Sequence, residues 1–160
     1  MCARMIGFVQ DHSHCFHRSL LKGHITGSCW LVDSTGDRVL LTHHKKLNRW
    51  LQLGGHADGD TDVLRVAMKE GAEESGITNL EPCARSLFDI DIHAIPAREA
   101  EPEHYHYDCR FAIRSTNEDT FVVSDESHDL RWITITELAS VTAEESMLRM
   151  AGKWEQRYIS

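Results

Sequence analysis

Residues 53–77, LGGHADGDTDVLRVAMKEGAEESGI, constrain the fold of this chain more than any other stretch. Their order predicts a short strand that ends in two glycines, then a polar loop, then a helix. Asp60 or Thr61 is the expected N-cap of this helix. Gly76 is expected to end it, because glycine readily adopts the left-handed conformation found at helix C-termini. The fold must therefore place a glycine loop directly before this helix.

The second half of the predicted helix carries three glutamates, Glu70, Glu73 and Glu74, which share one face because residues three and four apart are neighbours on a helix. Like charges at this spacing repel, and the negative end of the helix dipole disfavours them further. Either a fully solvated acidic face or a site for a hard cation would tolerate them. Proteins typically hold Mg²⁺ with one or two carboxylates and the phosphates of a substrate. The two glycines favour the cation site, because they let backbone carbonyls approach an ion or a diphosphate closely.

Strands dominate the rest of the chain. Residues 27–44 predict a hairpin around the turn DSTGD, and further strands are expected within SLFDIDIHAIP, HYHYDCRFAIR and LRWITI. A C-terminal helix is expected to start at Thr142, with Glu145 completing a capping box. Its expected buried residues are Met147, Leu148, Ala151 and Trp154. These elements predict an α+β fold in which a mixed β-sheet is sandwiched between α-helices.

The length and composition limit the function classes. A chain of 160 residues suits one domain, here 1–160, with an N-terminal extension (1–22) and a C-terminal helix (141–160). The net charge of −8 argues against binding of duplex nucleic acid, and no apolar run is long enough to span a bilayer or resembles a signal peptide. Five cysteines without a C-x-x-C pair suit reduced thiols in a cytoplasmic protein. We therefore expect a cytoplasmic protein whose partner is neither duplex nucleic acid nor a membrane, in an oligomeric state that the sequence does not indicate.

The glycine loop, the helix and the glutamates together resemble the Nudix box, which is usually written G-x5-E-x7-R-E-U-x-E-E-x-G-U with U aliphatic. The resemblance extends over most of residues 23–139 and implies the Nudix fold. The positions in register are Gly55, Glu70, Glu73, Glu74, Gly76 and Ile77.

Three positions depart from the box. Thr61 stands where the first Glu is expected, although Asp60 can replace it if the loop is one residue shorter. Lys69 replaces the Arg, and a lysine cannot reproduce a bidentate pair with a carboxylate. Gly71 replaces the aliphatic residue, which costs the helix about 1 kcal/mol relative to alanine.

The resemblance implies a metal-dependent hydrolase that cleaves a diphosphate bond in a nucleoside diphosphate linked to another group. It implies that Glu70, Glu73 and Glu74 hold Mg²⁺ or Mn²⁺, and that Gly54 and Gly55 contact the substrate, with the Gly54 carbonyl as a further metal ligand. Glu126, six residues before Trp132, is similar to the family's late metal-binding or base-like Glu. Either Glu70 or Glu126 would accept the proton of the attacking water.

Histidines form a second pattern. His104 and His106 lie two residues apart on a predicted strand and therefore face the same side, and His56 lies in the glycine loop. His17 and His24 bracket the start of the first strand. Neutral imidazoles on one side of a sheet suit a transition metal such as Zn, Mn, Fe or Ni. The alternative is that these histidines are unconnected polar residues.

The same histidines are similar in spacing to those of type I isopentenyl diphosphate isomerases, which share the Nudix fold. Positions 17, 24, 28, 30 and 56 match that family's His, His, Ser, Trp and His, while His104 and His106 stand where it has two Glu. The isomerase's catalytic Cys falls on Gly54, which argues against isomerase chemistry. An isomerase-like enzyme on prenyl diphosphates and a non-catalytic module that binds a nucleotide or metal are the alternatives to the hydrolase.

Overall fold

The computed structural model describes residues 1–45, 48–98, 101–117, 119–123 and 127–158. Its helices are α1 (Cys2–Asp11), α2 (Val63–Ser75) and α3 (Glu145–Tyr158), and a 3₁₀ helix spans Ile135–Ser140. Its strands are β1 (Gly23–Val32), β2 (Arg38–His44), β3 (Arg49–Leu51), β4 (Leu53–His56), β5 (Leu80–Pro82), β6 (Asp89–Ile95), β7 (His104–Ser115) and β8 (Ser127–Thr134). None of these helices is long and apolar enough to cross a bilayer.

The described strands form one mixed sheet around a parallel pair, β1 and β7. β4 runs antiparallel to β1 along the middle of β1, and β2 meets β1 at its far end, where Val32 pairs with Val39. β5 and β6 run antiparallel to β7, while β3 and β8 pair with β2. This sheet and its flanking helices confirm the predicted α+β class and the predicted hairpin.

Successive residues of β1 face opposite sides of the sheet. On one side Ile25, Cys29 and Leu31 join a core with α1 and α2. On the other side Trp30 and Val32 pack with α3, but nearer the start of β1 the same side is polar and carries the buried His24, Thr26 and Ser28. The sheet therefore has one apolar face and one face that is half apolar and half polar.

The sequence predicted the C-terminal end of α2 correctly but not its N-terminal end. The side chain of Asp62 caps the helix by accepting the Arg65 amide, so the predicted N-cap at Asp60 or Thr61 is wrong by one or two residues. Gly76 ends the helix at φ 71°, as predicted, and donates its amide to the Ala72 carbonyl.

The C-terminal helix starts later than predicted. Thr142 does not cap it, because the Thr142 hydroxyl accepts the Glu144 amide within a turn and α3 begins at Glu145. Met147, Ala151 and Trp154 are buried as expected. Leu148 is 37% exposed, so its predicted burial is wrong.

Besides the 3₁₀ helix at Ile135–Ser140, two described elements were not predicted. Within residues 1–22, α1 buries Met5 and Phe8, and the Phe8 ring stacks on Tyr107 of β7 with 3.7 Å between ring centroids. The short strand β5 extends the sheet beyond β7. The N-terminal segment therefore contributes directly to the main core.

Gly71 allows α2 to approach the sheet. A Cβ atom at this position would lie 3.0 Å from the Sγ of Cys29 on β1, closer than side chains normally approach. Cys29 is fully buried, and α2 continues through Gly71 without a break. The departure from the aliphatic residue of the box is therefore a packing requirement of this chain.

We expect Gly71→Ala to destabilise the protein by about 1 kcal/mol, because overpacking against Cys29 outweighs the gain in helix propensity. In the Cys29→Ala background, which removes the sulfur, the same replacement should stabilise it by about 1 kcal/mol. Urea unfolding of the four proteins in this double-mutant cycle measures both values. Equal effects of Gly71→Ala in the two backgrounds would contradict the packing explanation.

Candidate active site and histidine cluster

The two glycines of the glycine loop, Gly54 and Gly55, lie in β4, whose residues face alternate sides of the sheet. Gly55 pairs with Gly27, and both face α2. Gly54 pairs with Ser28 and His56 pairs with Thr26, on the opposite, polar side. Two successive positions of one strand therefore face two different environments.

Two of the predicted glutamates contact this loop. Glu70 lies directly over Gly55, since a Cβ atom there would be 2.5 Å from the Glu70 carboxylate. Glu74, one turn further along α2, accepts the amide of Gly54 at 2.8 Å. Both side chains are half-buried. The helix thus holds two carboxylates against the backbone of the glycine loop.

Glu73 occupies the outer side of this arrangement. It is exposed, and the amino group of Lys69 lies 3.4 Å from its carboxylate and 3.7 Å from that of Glu70. Glu70 first and Glu73 second raise the pKa of Lys69. Within the described ranges, the oxygens of the three glutamates do not all lie within 4.8 Å of one another. Glu126 lies outside the described residues.

The tie between the loop and the helix is made by residues other than those of the box pattern. Asp60 in the loop forms a two-pronged pair with Arg65 on α2, at 2.6 and 2.8 Å. Arg65 lowers the pKa of Asp60 through this hydrogen bond. The pair supplies the bidentate contact that Lys69 cannot make. Asp60, rather than Thr61, therefore serves as the acidic residue of the loop.

The glutamates fit a hard divalent cation on two grounds. Their carboxylate oxygens are the donors that Mg²⁺ and Mn²⁺ prefer. Because Gly55 has no side chain, the Glu70 carboxylate lies against the loop backbone, where a Cβ atom would stand only 2.5 Å from it. The residues that would hold such an ion are Glu70 and Glu74 at the loop and Glu73 at the rim.

Four of the five predicted histidines come together on the polar side of the sheet. His24 and His106 are direct neighbours in the parallel pair of β1 and β7. The ring of His24 lies 4.9 Å from His56, 5.0 Å from His104 and 4.9 Å from His106, between ring centroids. One nitrogen from each of His24, His56 and His106 can be chosen so that all three lie within 4.8 Å of one another.

These imidazoles are held in the neutral form. Burial, followed by the neighbouring His56 and His104, lowers the pKa of His24 to about 4, although the nearby Leu20 carbonyl opposes this shift. Burial, followed by His24 and His56, lowers the pKa of His106 to about 2. Burial likewise lowers the pKa of His56. Neutral imidazole is the form that ligates metals.

The remaining predicted histidine lies apart from these three nitrogens, and one unpredicted histidine lies beside them. His17 packs against Gly59, where a Cβ atom would meet its ring at 2.6 Å. His93 on β6 pairs with His106 across the sheet, and their ring centroids are 5.5 Å apart. The alternation within FDIDIHA places His93 on one face of a strand, and this pattern is the one from which His93 could have been predicted. The ring of His93 contacts Asp91 at 3.2 Å.

A buried hydrogen-bonded network around Asp108 lies next to the histidines on the polar side of the sheet and was not predicted. Asp108 on β7 accepts the hydroxyls of Thr26 and Ser28, and Arg110 donates to it at 2.7 Å. Asp108 thereby fixes the β1 residues that lie opposite Gly54 and His56. No motif in the sequence marks this role, because the partners lie about 80 residues away along the chain.

The family model for the NUDIX domain matches residues 23–152. A comparison with curated protein sequences gives no match. Among solved structures, an Ap4A hydrolase from C. elegans in a binary complex is similar at a TM-score of 0.66 and 17% identity, covering 82% of this chain and 95% of that one.

Two further structures share the fold. A NUDIX-family hydrolase from Clostridium perfringens has a TM-score of 0.60 at 25% identity, covering 83% of this chain and 97% of that one. The NUDIX domain of NrtR from Shewanella oneidensis, complexed with ADP ribose, has a TM-score of 0.57 at 13% identity, covering 83% and 86%. With the family model matching most of its length, the chain belongs to the NUDIX family.

Proposed function

We propose that this chain is a metal-dependent hydrolase that cleaves a diphosphate bond in a nucleoside diphosphate linked to another group. One observation carries the proposal: α2 seats the Glu70 and Glu74 carboxylates on the backbone of Gly55 and Gly54. Carboxylates held beside a half-buried glycine backbone are suited to a site where a hard cation and a diphosphate meet.

Each residue has a separate task in this proposal. Glu70, Glu73 and Glu74, with Glu126, hold Mg²⁺ or Mn²⁺, and the Gly54 carbonyl adds a neutral oxygen. When bound, the ion neutralises the phosphates and lowers the pKa of a coordinated water. Gly55 keeps the approach to the Glu70 carboxylate free of a side chain. Either Glu70 or Glu126 accepts the proton of the attacking water, because both are carboxylates within the proposed set.

The substrate class rests on the family and on two structural neighbours. One neighbour is an Ap4A hydrolase and another is complexed with ADP ribose. Ap4A and ADP-ribose both contain an adenosine joined through phosphoanhydride bonds to a further group. Because the protein has a net charge of −8, a small anionic substrate whose charge is neutralised by a bound cation is a better fit than an extended polyanion.

We expect Glu70→Gln to lower kcat by at least about 100-fold, since changes in the outer shell of a metal site alone cost 10- to 100-fold. Activity is measured by chromatography of products from ADP-ribose, Ap4A and nucleoside triphosphates, with Mg²⁺, with Mn²⁺ and with a chelator. The wild type should be active with either ion and inactive with the chelator. Comparison with Glu126→Gln identifies the base, because the residue that accepts the proton should show the larger loss.

Glu145→Gln is the matched control, since Glu145 is a glutamate in the first turn of α3 and not in α2. It should keep wild-type activity, and thermal melting should show that both variants are folded. Wild-type turnover by Glu70→Gln, or equal activity with and without a divalent ion, would contradict the proposal.

Isomerase-like chemistry is a second candidate because the histidine cluster is similar in spacing to that of the isopentenyl diphosphate isomerases. The structure argues against it at Gly54. A Cβ atom at this position would lie 2.3 Å from the hydroxyl and 2.7 Å from the Cα of Ser28. The backbone at Gly54 therefore has no room for a catalytic cysteine without a shift of β1 or β4.

Incubation with isopentenyl diphosphate should give no dimethylallyl diphosphate, because no side chain at Gly54 can move a proton on carbon. The products are separated by chromatography after incubation with Mg²⁺, Mn²⁺ or Zn²⁺. Formation of the dimethylallyl product, lost again in a Glu70→Gln variant, would reverse the order of the two candidates.

A further inference from the structure

We propose that His24, His56 and His106 bind one transition-metal ion, of which Zn²⁺ is the representative case, on the side of the sheet opposite the glutamates. This site is separate from the divalent-cation site of the hydrolase and does not depend on it. The three ligands come from β1, β4 and β7, so the ion would join the two central strands to the strand that carries the glycine loop.

The geometry is close to that of a bound metal. Three atoms within 4.8 Å of one another always have a point within about 2.8 Å of each, and Zn–N bonds are about 2.0–2.1 Å long. Movements of under about 1 Å, of the size that side-chain rotation gives, therefore complete the coordination. The strands already set the positions of the three rings, since His24 pairs with His106 and His56 pairs with Thr26.

The second observation is that ring nitrogens in the cluster are buried without partners. Among the residues that the structure describes, both ring nitrogens of His24 and the Nε2 of His106 have no hydrogen-bond partner. His24 is only 4% exposed. Burying a polar nitrogen without a partner costs free energy, so a fold that does this with adjacent imidazoles is suited to a ligand that all of them share.

The chemistry of the donors selects the class of metal. Imidazole nitrogens favour Zn²⁺, Cu²⁺, Fe²⁺ and Ni²⁺ over Mg²⁺, which prefers oxygen. Lowered pKa values, caused mainly by burial, keep His24, His56 and His106 neutral at pH 7, so binding requires no release of protons.

His104 is the candidate for a fourth ligand, because its ring stacks on His24 and lies 5.3 Å from His106 between centroids, beside the group of three nitrogens. Its Nδ1 lies 2.9 Å from the Pro102 carbonyl, which can only accept, so Nδ1 carries the proton and Nε2 of the neutral ring has a free lone pair. A backbone carbonyl behind the ring is the usual arrangement for a metal-ligating histidine. His104 also lines a cavity of about 70 Å³ with His24 and His56.

The test measures metal binding directly and needs no substrate. Protein without a His tag is stripped with a chelator and dialysed against Zn²⁺ or Co²⁺, and bound metal is counted by elemental analysis. One equivalent should be bound per chain, the melting temperature should rise, and Co²⁺ should give visible absorption bands of a nitrogen-ligated ion. His24→Leu and His56→Gln should abolish all three signals.

Two control variants identify the site. His93→Ala removes an imidazole that contacts His106 but pairs with Asp91, and it should keep the full equivalent. Glu70→Gln alters the glutamate site and should also keep it. His104→Ala should weaken Zn²⁺ affinity while leaving the three-ligand site measurable.

The melting temperatures of the metal-free proteins distinguish a metal site from histidines that only stabilise the fold. Since His24→Leu removes two buried nitrogens without partners, its metal-free melting temperature should be at least that of the metal-free wild type. His56 is only half-buried, so His56→Gln keeps the test valid if His24→Leu does not fold. Wild type that binds no Zn²⁺ or Co²⁺, or variants that retain a full equivalent with unchanged Co²⁺ bands, would overturn the proposal.

Discussion

The close approach of α2 to the sheet is the constraint on which the candidate active site depends. Three glycines make it possible, each at a point where helix and sheet meet. Cβ atoms would lie 3.0 Å from Val63 at Gly27, 2.5 Å from the Glu70 carboxylate at Gly55, and 3.0 Å from the Cys29 sulfur at Gly71. A larger residue at any of them would move the helix outward. Because Glu70 and Glu74 reach the glycine loop only from this distance, the packing of α2 and the chemistry of the loop cannot be separated.

The strand β4 connects two sites of opposite character. Gly55 faces α2 and the glutamates, while the next residue, His56, faces the imidazoles on the other side of the sheet. The polar side stays charge-balanced further along β7, where Arg110 lies between Asp108 and Asp89. Burial raises the pKa of Asp89, but the hydrogen bonds from Arg149 and Lys153 outweigh it and leave that pKa lowered. Buried charge is thus paired beside the cluster, whereas buried imidazole nitrogens within it are not.

The sequence predicted the parts of this arrangement that are local along the chain. The glycine loop, the helix that ends at Gly76 and the alternation of His104 and His106 each follow from spacing within a few residues. The pair between Asp60 and Arg65 was not predicted because the family pattern expects the basic partner at Lys69. In this chain Arg65, one turn earlier on α2 and five residues from Asp60, makes the contact. Asp108 was missed because its partners on β1 lie about 80 residues away along the chain. The place of His93 beside His106 depends on the register between β6 and β7, which spacing within one strand does not give. Spacing alone also grouped His17 with the cluster, whereas the loop before β1 turns its ring against Gly59.

Lys69 shows how a departure from the box can suit the proposed chemistry. Its side chain is 62% exposed and lies near both Glu70 and Glu73, where it offsets the repulsion between carboxylates one turn apart. Exposed ion pairs of this kind contribute only about 0–1 kcal/mol, and a lysine holds its partners as a flexible point charge rather than a rigid fork. A divalent ion carries twice the charge and binds carboxylate oxygens directly. In the proposed chemistry, Lys69 would therefore stabilise the glutamates without an ion and release them at little cost to one. The rigid contact between loop and helix is made by Asp60 and Arg65.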